Sequence, residues 1–258
     1  MAYKRGFSLW KPKFHDGTYY CAADNLNSVH LIKSTDGMNW EYVSTITTQY
    51  KPSETALTFL KDGTLLAFSR LNDKGTLGDT RAGFSKSSPP YSSWEFKLGG
   101  TQHFSGPAAE LVGNTVLVSS RTLLSSWGLS PNPKVPGDGG QRTALYIFDV
   151  DTMSLSSPVM LPTETGGDSS YPGILPTGNN RALVCWYDGS RNYGSPSPSN
   201  IWLAQTRIVP EPRINSAIMT GAALLAMSCR LRKQYHLPSV TFMRECTKGD
   251  KDDDISDK

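Results

Sequence analysis

Apolar and polar positions alternate in short runs along this chain, and turn signals separate most of the runs. The clearest case is SETALTFLKDGTLLAFSR, from Ser53 to Arg70. TALTFL predicts one strand, Lys61-Asp62-Gly63 a tight turn, and TLLAFS a second strand. Asp-Gly between two β-rich apolar runs is a strong hairpin signal. Glu54 precedes the first strand and Arg70 follows the second. Strands of similar length joined by a tight turn bring those two ends to one edge of a sheet.

The hairpin recurs. LWKPKF, His15-Asp16-Gly17 and TYYCAAD form an earlier unit that ends at Asp24. AAELV, Gly113-Asn114 and TVLVSSR form a later one that ends at Arg121. YPGILP, a Gly-Asn-Asn turn and RALVCWY form the last, from Tyr171 to Tyr187. The second strands start at Thr18, Thr64, Thr115 and Arg181. Each unit has a third strand: VHLIKS, RAGFSKS, TALYIFDV and NIWLAQTR. Three have a fourth: WEYVSTI, SWEFKL and LSSPVML. Repeated four-stranded antiparallel units predict an all-β propeller with four visible blades. A β-sandwich also has short strands. It would not explain why the end of each second strand carries a polar or charged group.

Composition agrees with a globular β-protein. The 258 residues are 38% hydrophobic, and 23 Gly and 17 Pro supply the turns. Net charge is only +3 and no long basic run interleaves with aromatics, which argues against nucleic acid as a partner. The four cysteines form no CxxC pair, which argues against a zinc site. Cys21 and Cys185 fall inside apolar strands and are expected in the core. The N-terminus, MAYKRGFSLWKPK, has no apolar run of a signal peptide.

Between the third and fourth strands of the first unit stands Ser34-Thr35-Asp36-Gly37-Met38-Asn39-Trp40. This SxDGxxW run resembles the Asp box (BNR repeat) of sialidase-type propellers. Ser and Asp accept backbone N–H bonds, Gly takes positive φ and Trp packs under the turn. The run Ser88 to Trp94 occupies the same slot in the second unit and keeps the Trp.

With these features the stretch from Leu9 to Ile208 resembles the sialidase (neuraminidase) superfamily. That family places a Glu before one hairpin, an Arg after it, a second Arg at the equivalent strand end of the next blade, and a Tyr at the opening of the blade after that. Glu54, Arg70, Arg121 and Tyr171 match in order and blade position. GGDSSYPG around Tyr171 and IWLAQTR are also similar to sialidase-like hydrolases. The resemblance implies an exo-glycosidase that removes a terminal sialic acid or another acidic sugar from a glycan, with no metal or organic cofactor. Tyr171 would be the nucleophile, Glu54 its base, and Arg70 and Arg121 a carboxylate clamp, since guanidinium groups bind carboxylates through paired charged bonds. A Tyr nucleophile avoids repulsion between a carboxylate nucleophile and an acidic sugar.

The family has six blades, and its first Arg and its general-acid Asp lie upstream of what is seen here. The resemblance therefore implies a form lacking the first blades and impaired in catalysis. Asp24, at the rim end of its strand, is the better stand-in for the acid and Asp16, in a turn, the weaker one; Arg5 is a weak stand-in for the missing Arg. The alternative function is a glycan-binding propeller that does not cleave.

Composition changes after Ile208. Val209-Pro210-Glu211-Pro212, an apolar run from Ala217 to Cys229, and then Arg230, Arg232 and Lys233 resemble a PEP-CTERM sorting signal. That implies an exported protein, periplasmic or at the cell surface, with possible membrane anchoring. A helix packed on the propeller would fit the same residues. The expected division is thus 1–208 propeller, 209–233 sorting segment, and 234–258 a charged, disordered tail.

Overall fold

The computed structural model describes residues 3–72, 80–132, 138–163, 168–189, 200–209 and 239–242. Among these residues, seventeen strands and one short 3-10 helix, Leu124–Trp127, make up the regular structure. The first blade is β1 (Ser8–His15), β2 (Thr18–Asp24), β3 (Val29–Ser34) and β4 (Glu41–Thr47). The second is β5 (Pro52–Phe59), β6 (Leu65–Leu71), β7 (Arg81–Ser87) and β8 (Glu95–Leu98). The third holds β9 (Ser105–Val112), β10 (Thr115–Leu123) and β11 (Gln141–Asp149), with β12 (Ser154–Leu155) and β13 (Val159–Met160) both paired to β11. The fourth is β14 (Asp168–Gly178), β15 (Arg181–Gly189), β16 (Asn200–Val209) and β17 (Ser239–Phe242). Every pairing is antiparallel, so the all-β, four-bladed propeller read from the hairpins is the observed fold.

Two details of the strands differ from the sequence reading. LSSPVML forms two short strands rather than one, because Ser156 turns away to bond Ile147 through both its backbone N–H and its hydroxyl. The fourth blade also has an outer strand, β17, within the stretch expected to be a disordered tail. The expected sorting segment 209–233 lies outside the described residues apart from Val209. Among the described residues, no helix is long and apolar enough to cross a membrane.

Three apolar layers fill the spaces between blades. Leu31 and Ile46 meet Leu57 and Leu65 between the first and second blades. Phe68 and Phe84 meet Val118 and Phe148 between the second and third. Leu117 and Leu145 meet Val184 and Trp186 between the third and fourth. A blade stacked on both sides buries both faces, which is why β6 reads as a continuous buried run rather than an alternating one. In β15 burial alternates from Ala182 to Asp188. Cys185 lies on the other face and is exposed, against the expectation of a core position. Cys21 is buried, and burial pushes its thiol up to about 12.

The Asp box is a turn staple. Ser34 Oγ accepts the Gly37 N–H at 2.9 Å, and Asp36 Oδ1 accepts those of Met38 and Asn39, both at 2.8 Å. Trp40 closes the turn by donating to the Gly37 carbonyl at 3.2 Å. It lies at the outer edge of its blade.

The centre is where the inner strands meet. β1, β5, β9 and β14 neighbour one another in that order, and β1 reaches across to the third and fourth blades. Trp10 Nε1 donates to the Pro107 carbonyl at 3.2 Å, and Lys11 Nζ donates to the carbonyls of Pro107 and Pro172.

Candidate functional site

Each inner strand breaks its ladder with a bulge, and each bulge holds one residue at positive φ: Lys11 (43°), Glu54 (34°), Gly106 (59°) and Tyr171 (47°). Three of these are not glycine. Such backbone is costly for an L-residue and concentrates at functional sites. A bulge also re-aims the side chain it carries. In blades two, three and four the bulge follows a serine paired with the end of the second strand: Ser53 with Arg70, Ser105 with Arg121, Ser170 with Tyr187. Glu54, Gly106 and Tyr171 therefore stand at one level of the propeller. In the first blade the bulge lies two pairs further in, beyond Trp10 and Ala22, so Trp10 and Lys11 sit beneath that level.

The structure brings Glu54, Arg70 and Tyr171 together. Tyr171 donates its hydroxyl to Glu54 Oε1 at 3.4 Å. Glu54 Oε2 accepts the Gly106 N–H at 2.9 Å and Arg70 Nη1 at 3.0 Å. Asn72 Oδ1 accepts Arg70 Nε at 2.9 Å, and the Asn72 amide bonds Ser53, so the guanidinium is held from its own hairpin. Arg121 places its guanidinium carbon 5.4 Å from the Tyr171 ring centre. The Tyr171 phenol is pushed up, first by burial and then by the Glu54 carboxylate, while Arg121 and Arg70 pull it back. Its proton rests on the phenol, which points at the Glu54 carboxylate.

Arg121 is not an open clamp. Its Nη2 donates to Asp168 Oδ1 at 2.6 Å and to the Tyr187 hydroxyl at 3.2 Å, and its Nε donates to the Ser169 carbonyl at 3.2 Å. Tyr187 in turn donates to Asp168 Oδ2 at 2.5 Å. Burial and that bond to Asp168 push the Tyr187 phenol up. The Tyr187 ring stacks on Tyr171, with centroids 5.9 Å apart, and Trp10 approaches Tyr171 at 5.8 Å.

Asp24 lies beside this group. It is 7% exposed and accepts backbone bonds from Glu54 and Leu26, so it braces the Glu54 bulge. Burial pushes its carboxyl up to about 6. Because the folded protein binds this proton more tightly than the unfolded chain, Asp24 costs stability as pH rises from about 4 to about 6, and the whole cost is present above that. The Tm difference between Asp24→Asn and wild type should therefore grow in the variant's favour across that window and then level off. A constant difference between pH 4 and 7 would show that Asp24 titrates normally. Of the weaker stand-ins, Arg5 is exposed near the N-terminus, and Asp16 is in the β1–β2 turn beside His15, at the far end of the blade.

Lys11 fills the floor. Burial, and then Lys13, lowers its ammonium to about 8, and its two carbonyl acceptors directly follow Gly106 and Tyr171. The sequence reading missed Lys11, Gly106, Asp168 and Tyr187 as site residues. One signal was available: Lys11, Gly106 and Tyr171 are each followed by proline, which removes a ladder donor at a bulge. Among the described residues, no group of three or more His, Cys, Asp or Glu could hold a metal ion.

No family model matches the sequence, and no curated protein is significantly similar to it. Solved structures share the fold. An α-L-arabinofuranosidase from Fusarium graminearum, solved with an iminosugar inhibitor, is 18% identical with a TM-score of 0.57, over 78% of this chain and 62% of that one. An α-L-arabinanase from Penicillium chrysogenum, solved with arabinobiose, is 14% identical with a TM-score of 0.57, over 76% of this chain and 62% of that one. A protein of unknown function from Dyadobacter fermentans is 21% identical with a TM-score of 0.52, over 75% of this chain and 50% of that one. This chain thus spans between 50% and 62% of the length of these three. At such identities the likeness shows the fold: a β-propeller of the kind glycoside hydrolases use. These structures do not support the narrower sialidase assignment.

Proposed function

We propose that this chain is a propeller-fold glycoside hydrolase acting on a terminal sugar, with Tyr171 as nucleophile and Glu54 as its base. The observation that carries this is the Tyr171 hydroxyl 3.4 Å from Glu54 Oε1, with both residues on positive-φ bulges. The fold shared with an α-L-arabinanase and an α-L-arabinofuranosidase supports it. The Tyr171 oxygen attacks the anomeric carbon as its proton passes to Glu54 Oε1, and the bond to the leaving oxygen breaks; that oxygen departs as the anion and takes its proton from solvent. Arg70 and Arg121 stabilise negative charge on the phenol oxygen during the attack. Water then cleaves the glycosyl–tyrosine bond, Glu54 returns the proton to the tyrosine oxygen, and the proton from water goes to solvent.

Asp24 serves this reaction as the support of the Glu54 bulge rather than as the proton donor, since its carboxylate is buried and engaged by the backbone. The sialic-acid form of the reading needs a substrate carboxylate between Arg70 and Arg121. Both guanidiniums already hold protein carboxylates, which argues against it. A second reading, a propeller that binds glycans without cleaving them, is favoured by one observation: Asp24 is buried and Asp168 is tied to Arg121 and Tyr187, so neither is placed as a free acid.

Aryl glycosides separate the two readings, because a good leaving group needs little protonation. A panel of 4-nitrophenyl glycosides of neutral and acidic sugars should include at least one that wild type cleaves and Glu54→Gln cleaves ~10²–10⁴-fold more slowly. Binding of a sugar without release of nitrophenol from any member of the panel would select the binding reading.

A further inference from the structure

We propose that Asp168 is a substrate-binding residue that fits this site to a neutral sugar and turns carboxylated sugars away. The inference rests on the glycosidase reading for the position of the sugar, but it concerns binding alone. Two guanidiniums at one rim look like a carboxylate clamp, and the structure fills both of them. Arg70 pairs with Glu54, and Arg121 pairs with Asp168 at 2.6 Å. A substrate carboxylate arriving at Arg121 would meet the Asp168 carboxylate beside it, and like charges at that range repel.

Asp168 is also built to receive hydroxyl groups. Its side chain is 37% exposed, the most open member of the two ion pairs. An ionised carboxylate offers about four acceptor positions. Arg121 takes one on Oδ1 and Tyr187 takes one on Oδ2. Those two bonds fix the orientation of the group and leave lone pairs for the hydroxyls of a sugar. The surroundings suit a sugar ring: the Tyr171 and Tyr187 rings lie 13° from parallel, and Trp10 sits below Tyr171. Aromatic faces take the C–H side of a sugar while the carboxylate takes its hydroxyls. Breaking the Asp168 pair would leave Arg121 with its Ser169 and Tyr187 contacts and an uncompensated charge.

The test is equilibrium binding by calorimetry. The probes are methyl α-L-arabinofuranoside and methyl β-galactoside as neutral sugars, and methyl α-sialoside and methyl β-glucuronide as acidic ones. Wild type should bind a neutral probe at least tenfold more tightly than either acidic one. Asp168→Ala should move the acidic-to-neutral affinity ratio upward by ~10–100-fold, the worth of one charged hydrogen bond. If the alanine variant does not fold, Asp168→Asn keeps the shape, removes the charge, and should move the ratio in the same direction. Wild type preferring an acidic probe, wild type binding none of the four, or a ratio unchanged in both folded variants would overturn the proposal. Binding with the expected ratios but without turnover would sink the glycosidase reading alone.

Discussion

Tyr171→Phe should lower turnover of the best aryl glycoside by on the order of 10⁴-fold or more, the scale seen when a nucleophile is removed. The substitution deletes one oxygen, the atom proposed to attack. The phenyl ring keeps its contacts with Trp10 and Tyr187 and its place under the Arg121 guanidinium. Tyr171 is 46% exposed and its hydroxyl has one weak bond, so stability should barely change. The measurement is the initial rate for wild type and variant, with Tm as the control for folding. A variant that retains most of the wild-type rate would remove Tyr171 from the chemistry and leave the bulge without a catalytic meaning.

Gly106→Ala should cost about 100-fold in kcat through a residue that carries no functional group. A Cβ at this position would lie 2.7 Å from Ser170 Oγ and 3.3 Å from the Tyr171 ring. Ser170 is fully buried, which leaves its hydroxyl little room to give, and the Tyr171 ring beside the new methyl takes up part of the strain. Gly106 also donates its N–H to Glu54 Oε2, so the same shift disturbs the base. Misplacement by about 1 Å can cost ~10²-fold in rate. The left-handed backbone at φ 59° adds ~1–2 kcal/mol of instability for an L-residue, or a Tm lower by roughly 2–4 °C per kcal/mol. Gly17→Ala is the comparison. Gly17 has φ 77° and nothing within 4 Å of a Cβ, in a turn at the far end of its blade. It should lose stability by a similar amount and no activity. Equal losses of kcat in the two variants would mean that the effect is global instability and not displacement of Tyr171 and Glu54.

The amino-acid sequence alone determined the blades and which side chains meet in half of the candidate site, because both rest on local rules. Side chains alternate across a strand with a period of two, and Asp-Gly or Asn-Asn takes the left-handed backbone of a tight turn, so hairpin positions followed directly. The Glu54–Arg70 pair was legible because both residues belong to one hairpin. Tyr171, 117 residues from Glu54, was legible only because the hairpin repeats and places corresponding ends at one rim. Tertiary structure decided the rest. Whether the second face of a strand is covered depends on a neighbouring blade, so Cys21 is buried while Cys185, in a similar apolar run, is exposed. A bulge is a property of two strands in register, so the shared left-handed backbone of Lys11, Glu54, Gly106 and Tyr171 could not be read from one strand. Arg121 read as a free cation until a residue of the next blade, Asp168, was found against it. Strand and turn are fixed by sterics within a few residues. The charge that a guanidinium faces is fixed by which distant side chain the packing brings within bonding distance.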